Sequence, residues 1–172
     1  MYRESINITL DYRKGFFRKR NLNKHDIRYL KDYKYVEVFD KAVGKNKIES
    51  FFIKPNPNTS ESLGHLFLVK ALEFYLKKFT KDVKTYQTLK PDIIFDVNGR
   101  KYAIEVETGI RLLKNKKTFQ EKVSNLYEKY GSKRWFFVLT SMEHLDKYQN
   151  YQKTYTKENV HRKIKELFRN CR

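Results

Sequence analysis

Apolar and polar positions alternate most clearly between Lys90 and Gly109. The run KPDIIFDVNGRKYAIEVETG reads as two short strands joined at Asn98-Gly99. Asn-Gly accepts the positive φ that both centres of a type I′ hairpin turn require. Strand alternation puts Glu105 and Glu107 on one face and Ile104 and Val106 on the other. In a hairpin the start of one strand lies beside the end of its partner, so Asp92 is expected close to both glutamates. Three carboxylates at one end of an apolar hairpin repel one another unless something positive sits among them. A hard divalent cation such as Mg²⁺, or Mn²⁺ in its place, meets that need with oxygen ligands from a few carboxylates and waters.

The rest of the pattern arranges itself around this hairpin. Ile6, Ile8 and Leu10 alternate, which predicts a short strand. Ile27 and Leu30 space a helix over 24–34, strands follow at 35–39 and 48–54, and a basic turn over 42–47 joins them. A helix followed by a hairpin with a basic tip matches the second half of a winged helix, a module that reads the major groove with its helix and the flanking backbone with its wing. Pro55-Asn56-Pro57-Asn58-Thr59 breaks the pattern as a linker. Thr59 or Ser60 caps a helix running from Glu61 to about Phe79, apolar around most of its circumference. A strand at 83–88 precedes the hairpin. Phe119, Val123, Leu126, Tyr127 and Tyr130 then stripe a helix closed by Gly131. Residues 134–140 form an unbroken apolar run, the mark of a strand buried on both faces. Residues 142–155 read as irregular with a single helical turn, and 158–168 as a final amphipathic helix. The expected domains are a basic, truncated winged-helix-like part over 1–55 and an α/β domain over 60–172, ordered α-β-β-β-α-β-α around a mixed sheet.

Charge sharpens the functional reading. The chain of 172 residues carries 38 Lys and Arg against 20 Asp and Glu, a formal charge of +18, so a polyanionic partner is expected and nucleic acid is the commonest. Arg13, Lys14, Arg18, Lys19 and Arg20 bracket Phe16 and Phe17. That mixture either grips phosphates and stacks on bases or is solvated surface with two Phe turned inward. Arg28, Lys45, Lys47, Lys114, Lys116 and Lys117 are the other candidate phosphate contacts. A lone Cys171 leaves no internal disulfide and no CxxC pair, which fits a reducing cytoplasm. No signal peptide and no membrane-spanning run is read, so no membrane association is expected.

Pro91-Asp92 on one strand and Glu105-Val106-Glu107 on the next resemble the PD-(D/E)XK nuclease superfamily, over roughly residues 60 to 140. More narrowly, the run KPDIIF…NGRKYAIEVETG, with His65 on the preceding helix, looks like the nuclease-like domain of replication-relaxation proteins. That family is linked to plasmid replication and conjugative mobilisation and joins a winged helix to this fold. The resemblance implies a restriction-endonuclease-like mixed sheet flanked by helices. It implies a Mg²⁺-dependent endonuclease of a mobile element, with Asp92, Glu105 and the Val106 carbonyl as metal ligands. Glu107 stands where the superfamily usually has Lys. Some active members carry Glu there, and Glu107 would then act as a base or hold a second ion. Lys122 is the first candidate to restore the missing charge, since its helix packs against the site in this fold. Lys101 shares the parity of Glu105 but lies roughly 13 Å along the strand. The superfamily often adds an acid from the first helix, where Glu73 is the better candidate and Glu61 the other. His65 is expected to neighbour the site, and Tyr127 to fill the core or face DNA. Expected partners are DNA, a relaxase or replication protein, and a second copy of the chain, since many nucleases of this fold dimerise. The alternative is a catalytically inactive nuclease-fold DNA-binding protein that docks on a relaxase or replication initiator.

Overall fold

A computed structural model describes residues 10–11, 14–57, 61–87 and 90–169. The strand expected around Ile6 and Ile8, Arg13, the helix cap at Thr59 or Ser60, and Cys171 lie outside the described residues. The protein is mixed α/β, with two sheets and six α-helices among the described residues. It divides into two compact units, one comprising residues 1–42 and 46–63, the other 43–45 and 64–172.

The first unit holds strand β1 (Phe16–Arg18), helix α1 (Lys24–Asp32) and strands β2 (Val36–Lys41) and β3 (Ile48–Ile53). Its antiparallel sheet has the order β1-β3-β2. Asn23 and Asp26 close a capping box, each side chain accepting from the other's backbone N–H. Phe17, Leu30, Tyr35 and Phe52 form the core, with Leu10, Leu22 and Ile27 packed on it. The basic stretch around Phe16 is therefore partly a strand. Phe17 is buried, and Phe16 stacks on Phe51 at 5.2 Å.

The second unit holds nearly all of α2 (Leu63–Leu76), which is shorter at both ends than its apolar pattern predicts. Strands β4 (Val83–Thr85), β5 (Ile93–Val97) and β6 (Arg100–Glu107) pair antiparallel, with Asn98 and Gly99 both at positive φ in the β5–β6 turn. Short α3 (Ile110–Lys114), which the sequence pattern does not announce, leads to α4 (Lys116–Tyr130), capped by the Asn115 side chain. β7 (Trp135–Leu139) pairs parallel with β6 and is buried at every position. The stretch expected to be irregular holds a 3₁₀ turn, α5 (Leu145–Gln149) and a strand, β8 (Thr154–Thr156), parallel to β7. α6 (Val160–Arg169) closes the unit. The sheet order is β4-β5-β6-β7-β8.

Strand parity sorts the two faces. Ala103, Trp135, Phe137 and Leu139 pack with Phe119, Val123, Leu126 and Tyr130 of α4 and with Tyr148 of α5. On the other face Phe168 of α6 stacks on Phe79 and lies against Phe95. Among the described residues no helix is long and apolar enough to cross a membrane.

Candidate active site

The β5–β6 register sets the site. Ile93 faces Ile104, so Asp92, one residue earlier, falls beside Glu105. Asp92 Oδ2 accepts a hydrogen bond from the Val106 N–H at 2.8 Å, which locks the start of one strand to the end of the other. Pro91 precedes it and cannot donate a ladder bond, and β5 begins just after Asp92, at Ile93. Asp92, Glu105 and Glu107 are all buried, at 8%, 1% and 2% exposure. Such burial of three acids demands positive charge or donors around them.

An ammonium and an imidazole come from the flanking helices. Lys122 Nζ of α4 donates to Glu105 Oε1. His65 Nε2 of α2 lies 3.4 Å from Asp92 Oδ2 and 3.1 Å from the Val106 carbonyl oxygen. Glu107 is met by the Tyr148 hydroxyl, which donates to Oε2 at 3.3 Å. A Thr140 N–H donating to the Glu107 carbonyl at 3.0 Å fixes the strand end against β7.

This arrangement drives the two leading carboxylates apart. Burial and the neighbouring Asp92 charge push Glu105 well above the usual carboxylate range, against the pull of Lys122. Burial also opposes ionisation of Asp92, but His65, Lys122 and the Val106 N–H outweigh it and hold Asp92 below its ordinary value. Neighbouring acids displaced in opposite directions are a mark of reactive sites. Among the described residues, no group of three or more His, Cys, Asp or Glu is arranged to hold a metal ion.

Other expected residues fall elsewhere. Glu73 does not join the carboxylates: its oxygens meet Lys70 at 2.9 Å and Lys77 at 2.6 Å, two helical turns along α2 from His65. Lys101 pairs in register with Asp96, far along β6 from Glu105. Tyr127 is part core and part surface, its ring edge-on to Trp135 and its hydroxyl donating to the Tyr151 carbonyl at 2.6 Å. Lys116 and Lys117 are exposed in the first turn of α4, within about 9 Å of Lys122 along the axis. Lys114 is exposed just before them. In the first unit Arg18 and Arg20 pair with Glu49, and Lys19 with Glu37, while Lys14, Arg28 and Lys47 are exposed. Lys45 is exposed in the β2–β3 connection. Tyr148 escapes sequence reading, because it lies in a polar stretch with no periodicity. The chain matches no protein-family model, no curated protein and no solved structure.

Proposed function

We propose that this protein is a metal-dependent endonuclease-like enzyme with a restriction-endonuclease-like second unit, hydrolysing phosphodiester bonds of DNA. The observation that carries the reading is the convergence of Asp92, Glu105, the Val106 carbonyl and the Lys122 ammonium at the open end of one hairpin.

The donor set fits a hard divalent cation. Two carboxylates and a carbonyl oxygen leave the remaining positions to water, as Mg²⁺ favours. Asp92, Glu105 and the Val106 carbonyl would hold it. The bound ion would supply an activated water and offset charge on the scissile phosphate. His65 keeps Asp92 ionised and fixes its rotamer against Val106. Lys122 brings the cationic donor that the Glu107 position lacks, and it orients a phosphate oxygen or the attacking water. Glu107, whose carboxylate accepts from the Tyr148 hydroxyl, would serve as a general base beside that ion. Lys114, Lys116 and Lys117 lead the DNA backbone toward Lys122. In the first unit, helix α1 followed by the β2–β3 hairpin supports a winged-helix-like docking element, with Arg28 and Lys47 exposed for backbone contacts. A role in replication or mobilisation of a mobile element, beside a relaxase or initiator, follows from the sequence resemblance.

Cleavage of plasmid DNA in Mg²⁺ by the wild type and by Asp92→Ala tests the reading. One observation favours a second reading, a DNA-binding protein without catalysis: the Lys122 ammonium already meets Glu105, as a relic site neutralised from within would. Calorimetry with Mn²⁺ separates the two. Metal uptake that Asp92→Ala abolishes supports the enzyme, and tight DNA binding without metal uptake supports the relic.

A further inference from the structure

The α4 face of the sheet carries a second concavity, beside β4, that the carboxylate group does not use. It is a cleft of about 250 Å³. That lies below the range of sites for drug-sized ligands, and suits one small polar group. Lys84, Lys90, Lys101 and Lys129 line it from four different segments of the chain. Among the described residues none of the four has an ion-pair partner, and Lys90 lies over the Tyr86 ring at 4.7 Å from its centroid. Two carboxylates, Asp82 and Asp96, also face the cleft, and Asp96 is already engaged by the Gly99 N–H at 2.7 Å. The cleft is therefore net cationic.

We propose that this cleft binds a phosphate ester, with the Tyr130 hydroxyl as its buried donor and the four lysines as its countercharge. Tyr130 lines the cleft and is 3% exposed. Its hydroxyl has no hydrogen-bond partner among the described residues. Buried phenols ordinarily find one, so this hydroxyl is available to an acceptor held in the cleft. Burial and the nearby Tyr86 push the Tyr130 phenol up, so it stays a donor at neutral pH. An anionic acceptor with several oxygens satisfies the hydroxyl and the ammoniums together, and phosphate has that chemistry.

The register places this cleft relative to the carboxylates. The Tyr86 N–H donates to the Asp92 carbonyl at 2.9 Å, so Tyr86 shares the strand row of Asp92 and Glu105. Lys84 faces Ile94, one row nearer the hairpin turn, and Lys101 faces Asp96, a further row on. Each row is about 7 Å of strand rise. The cleft thus starts beside the carboxylate row and runs away from it, as a subsite for a neighbouring or terminal phosphate of a strand would. The cleft's own residues account for this binding, with no need for cleavage at the carboxylates.

The test is a calorimetric titration of the full chain without metal, using three probes. These are inorganic phosphate, a short 5′-phosphorylated deoxyoligonucleotide, and the same strand with a 5′-hydroxyl. The 5′-phosphate is expected to tighten strand binding about tenfold. Tyr130→Phe and the Lys84→Gln/Lys129→Gln double variant erase that preference, whereas Lys147→Gln, on the exposed side of α5, keeps it. Binding of inorganic phosphate that is lost in Tyr130→Phe, with no strand preference, supports the site and assigns it to free phosphate. No binding of either phosphate probe beyond the 5′-hydroxyl control overturns the proposal, as does a preference that survives in both cleft variants with folding intact by circular dichroism.

Discussion

The ammonium of Lys122 meets Glu105 Oε1 across the gap between α4 and β6. Lys122 lies seventeen positions after Glu105, where the intervening α3 and the Asn115 cap aim α4 back over the hairpin. A positive donor therefore reaches the site from a different element than the strand that carries Glu107. If this donor acts on the transition state, Lys122→Ala lowers the Mg²⁺-dependent cleavage rate by about 100-fold or more while DNA affinity changes little. Single-turnover cleavage alongside fluorescence anisotropy checks this. Equal losses in affinity and rate would instead make Lys122 a binding residue.

Glu105 gives a pH-dependent stability prediction. Its folded-state pKa is raised, so the folded protein binds the proton more tightly than the unfolded chain does. Nothing is lost below the ordinary value of 4.5, and stability falls as pH rises from there through the folded value. Glu105→Gln removes that cost. At pH 7 to 8 the variant is expected to melt about 3 °C higher than wild type, on the order of 1 kcal/mol, and to match it near pH 4. Mg²⁺ should raise the wild-type midpoint and leave the variant's unchanged. Thermal melts across pH, with and without Mg²⁺, read all of this.

Glu73 has the opposite sign. Burial opposes its ionisation, but Lys77 and Lys70 outweigh burial and hold it below the usual range. Its contribution is present above the unfolded pKa and is lost as pH falls through the folded one. Glu73→Gln is expected to cost at most about 1 kcal/mol at pH 7, nothing in strong acid, and to leave metal affinity and cleavage intact. Urea unfolding at two pH values, together with a Mn²⁺ titration, checks both statements. Loss of metal affinity would return Glu73 to the site.

Gly109 follows the strand that carries the glutamates, at φ +88°. A Cβ there would collide with the His144 ring at Cδ2. Gly109→Ala is thus expected to destabilise by about 3 kcal/mol, from the clash plus left-handed strain. Adding His144→Ala removes the clash and recovers part of the loss, while about 1 kcal/mol of strain remains. Denaturant midpoints of the two variants and of His144→Ala alone measure the coupling.

What the sequence made legible was local. Asn98-Gly99 with alternating neighbours defines the hairpin without any distant contact, and parity then brings Asp92 and Glu105 together. Lys122 is anticipated only through the resemblance, in which the helix after the second strand packs against the site. The β8 strand could not be anticipated: Thr154, Tyr155 and Thr156 are too few and too polar, and their order comes from parallel pairing with β7. Tyr148 was hidden for the same reason, since its burial depends on α5 docking against Phe119 and Phe137. Glu73 misled because an acid among apolar neighbours looks as if it awaits a ligand. Its partners lie one helical turn to either side, at i−3 and i+4, where helix geometry places them. β1 was masked by its charges, because Arg18 is held at the sheet edge by Glu49 and the Phe51 ring.

The most direct measurement is Mg²⁺-dependent cleavage of supercoiled plasmid by purified wild type and Asp92→Ala. The predicted result is cleavage by wild type that EDTA abolishes and Mn²⁺ restores, with the variant slower by about 1,000-fold or more. Cleavage that proceeds equally in the variant, or wild-type protein that binds DNA yet leaves it intact in both metals, would contradict a metal-dependent phosphodiesterase site at Asp92 and Glu105.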